Sequence, residues 1–444
     1  MISKKIIKYL IYLVVIIVLF NCLVLIAFLY PKNSFTSFLG KLLPTNIKPI
    51  VVNNSSFLRE FYLKKIYYSR QETLEKLEKR VKQLEQAKGF INEKIFPETQ
   101  FLHLNYQEYK LNLDLNKKPL PYLVKNTSPF YILNYKKKLL VITKDNQIFS
   151  LKLTSLNKKK PLDSDLKTEN IFDTKILGND LYISTSIIDN DSKYKFYNPL
   201  KDCFLRVIYK TKINFKFLKF EKFYKHDECT DNANGGVMFF DKDNKDLILS
   251  VPDNSIKFQK VTKFIKINFD NKIYKTISEG HRNSQGLLIT NDKNIISTEH
   301  GPRGGDELNN IKLGKNYGWP LVSYGEFYTK NFNNKDEYNY IKDHRINGFQ
   351  EPIYAFVPSI GISQIIEVPD SFSNRWKNSY LVTSLKARSI FKINFNHNFT
   401  KVITFEKIYI GKRIRDIEYI KDLNSFVLSL EDNTGAIGII NLKN

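Results

Sequence analysis

Cysteine is scarce, with three in 444 residues. That excludes a disulfide-built scaffold and a four-cysteine zinc site. Glycine and proline are also few, 18 and 15, so collagen-like and low-complexity classes fall away. Acidic residues run short against basic ones, 45 Asp plus Glu to 69 Lys plus Arg, leaving +24. Such a charge invites a polyanion. Yet the excess is mostly lysine, spread along the chain among Asn, Ile, Tyr and Phe, and no motif of an RNA- or DNA-binding module accompanies it. Nucleic acid is therefore not an expected partner. What is abundant is aromatic surface, 33 Phe and 26 Tyr within an apolar share of 42%. That suffices for a core and excludes wholesale disorder. The length suits about three small domains or one large all-β ring.

Tyr9 to Tyr30 is an apolar run with only Asn21 and Cys22 as mild interruptions. As a helix it is long enough to cross a hydrocarbon core of ~30 Å. Lys4, Lys5 and Lys8 precede it, which places the N-terminus in the cytoplasm and the rest in the periplasm or outside the cell. A cleavable signal peptide is the rival reading. Pro31-Lys32-Asn33 follow the run, and there is no small-x-small cleavage site near Tyr30. The expectation is an uncleaved single-pass anchor in the inner membrane.

Residues 57–89 read as a helical stalk. Leu74, Leu77, Val81 and Leu84 recur at helical spacing among Glu72, Lys76, Glu78, Lys79 and Glu85, and Gly89 is a plausible stop. Such a helix either dimerises the chain as a short coiled coil or packs, solvated, on its own domain. On the exported side Cys203 and Cys229 are either bridged or two buried thiols.

From about residue 119 to 444 the pattern changes. A β-rich apolar run, a polar turn and a second apolar run recur, with copies starting at residues 139, 181, 247, 295, 380 and 426. Repetition near ~45 residues between Asp/Asn/Gly turns indicates a β-propeller. Six copies predict an all-β, six-bladed ring whose loops converge at one end of a central channel. A β-sandwich ranks second. The longest interval leaves room for a long loop within about 320–350.

The densest polar segment runs from Gly280-His281-Arg282-Asn283-Ser284-Gln285-Gly286 through Glu299-His300-Gly301-Pro302-Arg303-Gly304-Gly305-Asp306-Glu307 to Asn316-Tyr317-Gly318-Trp319-Pro320. Glycines here let backbone carbonyls approach a ligand. Asp306 and Glu307 supply the hard oxygens that calcium prefers. A glycine-rich turn with solvated carboxylates fits the residues equally well.

The order and wording of these segments resemble the glucose/sorbosone dehydrogenase family, six-bladed sugar dehydrogenases that use pyrroloquinoline quinone (PQQ). The family wording is GHRNPQG, EHGPRGGDE and NYGWP, and this chain departs from it only at Ser284. The similarity extends to Pro358-Ser359-Ile360, Ser384-Leu385-Lys386 and Arg413-Ile414-Arg415-Asp416. It implies that Lys386, Arg413 and Arg415 anchor the PQQ carboxylates, as guanidinium forks suit carboxylates. It further implies that Arg282 and Asn283 touch the quinone oxygens, with Gln285, His300 and Ser359 in the same cofactor site. The carbonyls of Gly301 and Pro302 would hold a quinone-polarising calcium, and Glu307 with the carbonyl of Tyr317 a second, structural one.

One position breaks the pattern. In the family a His takes the proton of a sugar hydroxyl while hydride passes to the quinone; here the matching residue is Ala233, and Val237 replaces an Arg. His226 lies seven residues upstream, and Asp231 and Asp253 are candidate substitute bases. Two readings follow from the sequence. One is an anchored PQQ- and calcium-dependent dehydrogenase for an aldose or alcohol, passing electrons to an unidentified acceptor. The other is a pseudoenzyme propeller that binds a sugar, PQQ or a protein.

Overall fold

The computed structural model describes residues 104–113, 129–168, 170–189, 204–230, 235–241, 243–251, 262–326, 340–431 and 435–442. The expected membrane span, the stalk, Cys203, Asp231, Ala233, Asp253 and the side chain of Cys229 lie outside the described residues. Among the described residues no helix is long and apolar enough to cross a membrane.

The described chain is almost entirely strand, arranged as six antiparallel sheets. A first strand, β1 (Leu104–Lys110), stands apart from its sequence neighbours. Blade one then comprises β2 (Phe130–Tyr135), β3 (Lys138–Thr143), β4 (Ile148–Lys152) and β5 (Ser155–Ser164). Blade two has β6 (Asn170–Leu177), β7 (Asp180–Ile188), β8 (Phe204–Lys212) and, after the two-residue β9 (Phe217–Leu218) that pairs with β5, β10 (Glu221–Thr230). Blade three is β11 (Met238–Asp241), β12 (Asp246–Val251), β13 (Thr262–Asn268) and β14 (Tyr274–His281). Blade four is β15 (Ser284–Ile289), β16 (Ile295–Glu299), β17 (Asp306–Ile311) and, beyond β18 (Lys315–Asn316), β19 (Tyr354–Phe356). Blade five is β20 (Ile362–Glu367), β21 (Tyr380–Ser384), β22 (Ser389–Phe395) and β23 (Val402–Tyr409). Blade six has β24 (Arg413–Ile420), β25 (Ser425–Glu431) and β26 (Ala436–Leu442), and its outer strand is β1, paired from Leu104↔Leu442 to Lys110↔Ala436.

The first strands of the blades line up as neighbours around the axis, and β24 lies against β2 to close the circle. The six-bladed propeller expected from the repeats is what forms. Each sequence copy corresponds to the second and third strands of a blade, from Leu139–Leu153 in blade one to Phe426–Leu442 in blade six. Those runs are apolar without alternation because blades stack on both faces, so both faces of the middle strands are buried. Six apolar clusters result, each spanning one blade interface. Phe426, Leu428 and Ile414 of blade six, for example, pack with Leu381 and Ile390 of blade five. Full burial of such a side chain contributes about 1.5–3 kcal/mol. The ring also begins earlier than residue 119, because β1 completes the sixth blade.

Polar seams supplement the apolar ones. Asp173, on inner strand β6, accepts the backbone N–H of Met238 in the next blade at 2.9 Å. Asp306 does the same for Ile362 at 2.9 Å. In each case a carboxylate satisfies an N–H at the start of the following inner strand, which would otherwise be buried without a partner.

Candidate functional site

In an up-and-down blade the start of the inner strand and the turn between the second and third strands lie at the same end. Arg282 and Asn283 precede β15, Ser359 precedes β20, and Arg413 and Arg415 begin β24. His300, Gly301 and Pro302 lie in the β16–β17 turn and Lys386 in the β21–β22 turn. The topology therefore gathers the predicted cofactor residues at one mouth of the ring, although they span more than a hundred positions of sequence.

The centre of this mouth is a residue that the motifs did not include. Glu431, at the end of β25, is 5% exposed. Its Oε2 lies 3.0 Å from both Nε and Nη2 of Arg413, and its Oε1 lies 2.5 Å from Nε and Nη2 of Arg415. Burial alone would raise its carboxyl pKa; Arg415 and Arg413 overcome that and hold it below the ordinary range. A cross-strand register of Arg413↔Glu431 produces the pair, a signal present in sequence only once the hairpin is aligned. Arg415 also donates through Nη1 to Oε1 of Gln285 at 3.1 Å. Gln285 donates to Oδ1 of Asn283 at 2.8 Å, which also accepts Gly235 N–H at 3.1 Å. The chain of hydrogen bonds runs from blade six through blade four to the entry of blade three.

Arg282 faces the glycine-rich turn. Its Nη1 donates to the carbonyl oxygens of His300 at 3.0 Å and Gly301 at 2.8 Å, and its guanidinium lies 5.3 Å from the Trp319 ring. Thus one of the two carbonyls assigned to calcium by resemblance accepts a cationic side chain. Asp306 shapes the turn: its Oδ1 accepts Gly301 N–H at 3.2 Å and the Ser359 hydroxyl at 2.7 Å. Gly301 itself has no room for a side chain, since a Cβ would lie 2.1 Å from the Gly305 carbonyl oxygen. His300 is pushed down to about 4 chiefly by burial, with Arg415 and Arg282 adding to the effect against Asp306. It is neutral at neutral pH, and its Nε2 has no hydrogen-bond partner among the described residues. Lys386 is exposed at the rim, its backbone N–H held by the Ile360 carbonyl at 2.9 Å.

The four predicted metal residues also meet. Gly301, Pro302, Glu307 and Tyr317 line one small pocket with Glu299, Gly280 and Ser323. Glu299 lies directly opposite Glu307 in the β16–β17 register, and both are buried. Two like charges facing each other in a sheet are destabilising. Burial first, then Glu299, Glu351 and Asp306, push the Glu307 carboxyl well above its usual range. The nearby His344, 3.6 Å from Glu307 Oε1, is driven toward its neutral form by burial. A hard divalent cation would relieve this repulsion, so the donors present fit calcium.

His226 is not at the mouth. It sits on the outermost strand of blade two, fully buried, with Nδ1 3.0 Å from the Tyr224 hydroxyl and its ring edge-on to Tyr274 at 4.9 Å. It is a core histidine and no substitute base. Val237 is buried as well, and its N–H is held by Ser250 Oγ at 3.1 Å.

Against known proteins, the sequence profile described as glucose/sorbosone dehydrogenase matches residues 204–439, just over half of the chain. An aldose sugar dehydrogenase of Escherichia coli is 29% identical over 170 residues, 38% of this chain and 44% of that protein. Quinoprotein glucose dehydrogenase B of Acinetobacter calcoaceticus is 28% identical over 147 residues, 31% of this chain and 29% of that one. The chain matches less than half the length of these curated relatives. In three dimensions the crystal structure of the soluble aldose sugar dehydrogenase from Escherichia coli superposes with a TM-score of 0.60 at 18% identity, covering 77% of this chain and all of that one. That likeness extends the common ring over the described blades. Fold, motif geometry and profile agree, and the chain belongs to the glucose/sorbosone dehydrogenase family.

Proposed function

We propose that the protein is a membrane-anchored dehydrogenase that uses PQQ and calcium to oxidise the anomeric hydroxyl of an aldose or a related alcohol in the periplasm. The observation that carries this reading is that Arg282, Lys386, Arg413 and Arg415 stand at one mouth of the ring, the last two fixed by the buried carboxylate of Glu431. PQQ carries three carboxylates, and that cationic excess complements them. In this assignment Arg413, Arg415 and Lys386 hold the carboxylates, Arg282 and Asn283 face the quinone edge, and Gln285, His300 and Ser359 complete the cradle. Calcium would sit on the Gly301 and Pro302 carbonyls, with a second ion at Glu307 and Tyr317. When bound, PQQ supplies the hydride acceptor, and calcium the Lewis acid that polarises it.

This chain's own residues orient those groups through the Asp306 and Glu431 networks, which fix the turn and the two arginines before any ligand arrives. The hydroxyl proton needs an acceptor other than residue 233, an alanine here; Asp231 and Asp253 are the candidates. Ala233 and Val237 also favour a second reading, a propeller that binds PQQ, a sugar or a protein without turnover. Full-length protein loaded with PQQ and calcium, tested for dye reduction with aldoses and alcohols, separates the two. Substrate-dependent reduction supports the dehydrogenase. Tight PQQ binding with no reduction across the panel supports the binding propeller, and absence of PQQ binding removes the cofactor from both readings.

A further inference from the structure

A cation at the mouth belongs to no motif. Lys144 stands in the turn between β3 and β4 of blade one, at the same end of the ring as Arg413 and Arg415. The turn is tightly fixed. Lys144 N–H donates to the Pro129 carbonyl at 3.3 Å, and Thr143 closes the turn with Gln147 at 2.9 Å. Thr143 Oγ1 also donates to Asp145 at 2.5 Å, and Asn146 donates to the Thr168 carbonyl at 2.9 Å. Asp145 and Asn146 are thus committed to the turn itself.

Lys144 is only partly exposed. The carboxylate whose charge it senses is Glu431, both of whose oxygens already serve the two arginines. Three basic side chains from blades one and six therefore share one acid. A lysine beside two guanidiniums, with no carboxylate of its own, gains from an anion that completes the site.

We propose that Lys144 is a further anchor of this mouth and binds a carboxylate of the same polyanionic ligand that Arg413 and Arg415 hold. The inference rests on the PQQ reading. A physical consequence distinguishes it from a packing role. Burial, then the Arg415 guanidinium, lower the ammonium to about 7, with Glu431 opposing. An arriving carboxylate restores the charge, so binding above neutral pH takes up a proton. Arg415 is held charged by Glu431, and Glu431 is held ionised by the two arginines.

The test is calorimetric titration of PQQ, with calcium present, into the full-length chain at pH 8, in HEPES and in Tris. The difference in heat between buffers gives the protons exchanged. Wild type is expected to take up close to one proton, as follows from a lysine near 7 becoming fully charged. Lys144→Gln should bind about 10–100-fold more weakly, the loss of one charge-assisted contact, with uptake abolished. Lys144→Arg should keep most of the affinity with uptake abolished, because arginine is charged before the ligand arrives. Wild-type affinity and wild-type proton uptake in Lys144→Gln would overturn the assignment while leaving the PQQ reading intact. Undiminished uptake in Lys144→Arg would overturn it even where Lys144→Gln fails to fold. No binding by the wild type would overturn both.

Discussion

The carboxylate of Asp416, on the last blade, accepts the backbone N–H of Ile132, on the first, at 2.9 Å. With Asp173 to Met238 and Asp306 to Ile362 it makes three of the ring's seams polar as well as apolar. Asp306 does this while also positioning Gly301 and Ser359, so stability and site geometry meet in one side chain. Asp306→Ala strands the Ile362 N–H and should lower the unfolding free energy by about 2–4 kcal/mol. Asp306→Asn keeps one acceptor oxygen and should lose roughly half as much. Urea denaturation of the three proteins checks the order; equal midpoints would show that the seam contributes nothing.

Glu418 and Asp416 on β24 share the charge of Lys175 on β6, the inner strand of blade two. Burial, reinforced by Asp416, pushes Glu418 up to about 7; burial also pushes Asp416 up to about 6 against the pull of Lys175. Both values are raised in the folded state. Their stabilising contribution is therefore complete below the ordinary carboxylate range and is lost as pH climbs through 6 and 7. The unfolding free energy should fall by on the order of 2 kcal/mol between pH 5 and 8, with Glu418→Gln removing much of the fall. A profile with the same slope in that variant would assign the effect elsewhere.

Glu307 faces Glu299 across a hairpin, with His344 3.6 Å from the first and His281 3.1 Å from the second. Calcium should raise the melting temperature by occupying this pair; at 100 times its dissociation constant a ligand adds about 2.7 kcal/mol. Glu307→Gln relieves the repulsion and removes a ligand of one of the two proposed ions, so it should lose most of the rise that calcium gives. Differential scanning calorimetry with and without EGTA decides, and an undiminished calcium response in the variant would place the ion elsewhere.

Ala233→His restores the family's proton acceptor. If PQQ is bound as proposed, turnover should rise by ~10²–10⁴-fold, the usual worth of a general base, with PQQ affinity unchanged. Steady-state dye reduction measures the first and calorimetry the second. A variant no faster than its parent would show that another group already takes the proton.

The middle hairpins of the blades were readable because both of their faces are buried, which writes unbroken apolar runs such as Leu139–Thr143 and Leu247–Val251. The strands on either side were not. Inner strands carry channel-facing polar groups and bulges, as between Ile171 and Asp173 or Ile414 and Asp416, and these break the two-residue period. Outer strands such as β5 and β23 are largely solvated, and β5, with three consecutive lysines and a proline, reads as a charged linker. The motif residues stand at one end of the ring. Lys144 and Glu431 escaped because each is a single charge in an ordinary turn or strand end. Only the neighbours that the fold supplies reveal them: Arg413 beside Glu431, and Glu431 near Lys144.

The pairing of β1 with β26 sets an order on the chain's birth. Leu104–Lys110 leaves the ribosome more than three hundred residues before the strand it must join. Until Ala436–Leu442 appears, it has no edge to add to, and the sixth blade is one strand short. The ring therefore stays open during synthesis and closes after it, a long-range step that is slow by nature. Through that interval the early strand is an unpaired edge, and a chaperone that shields it would act at the amino-terminal side of the ring.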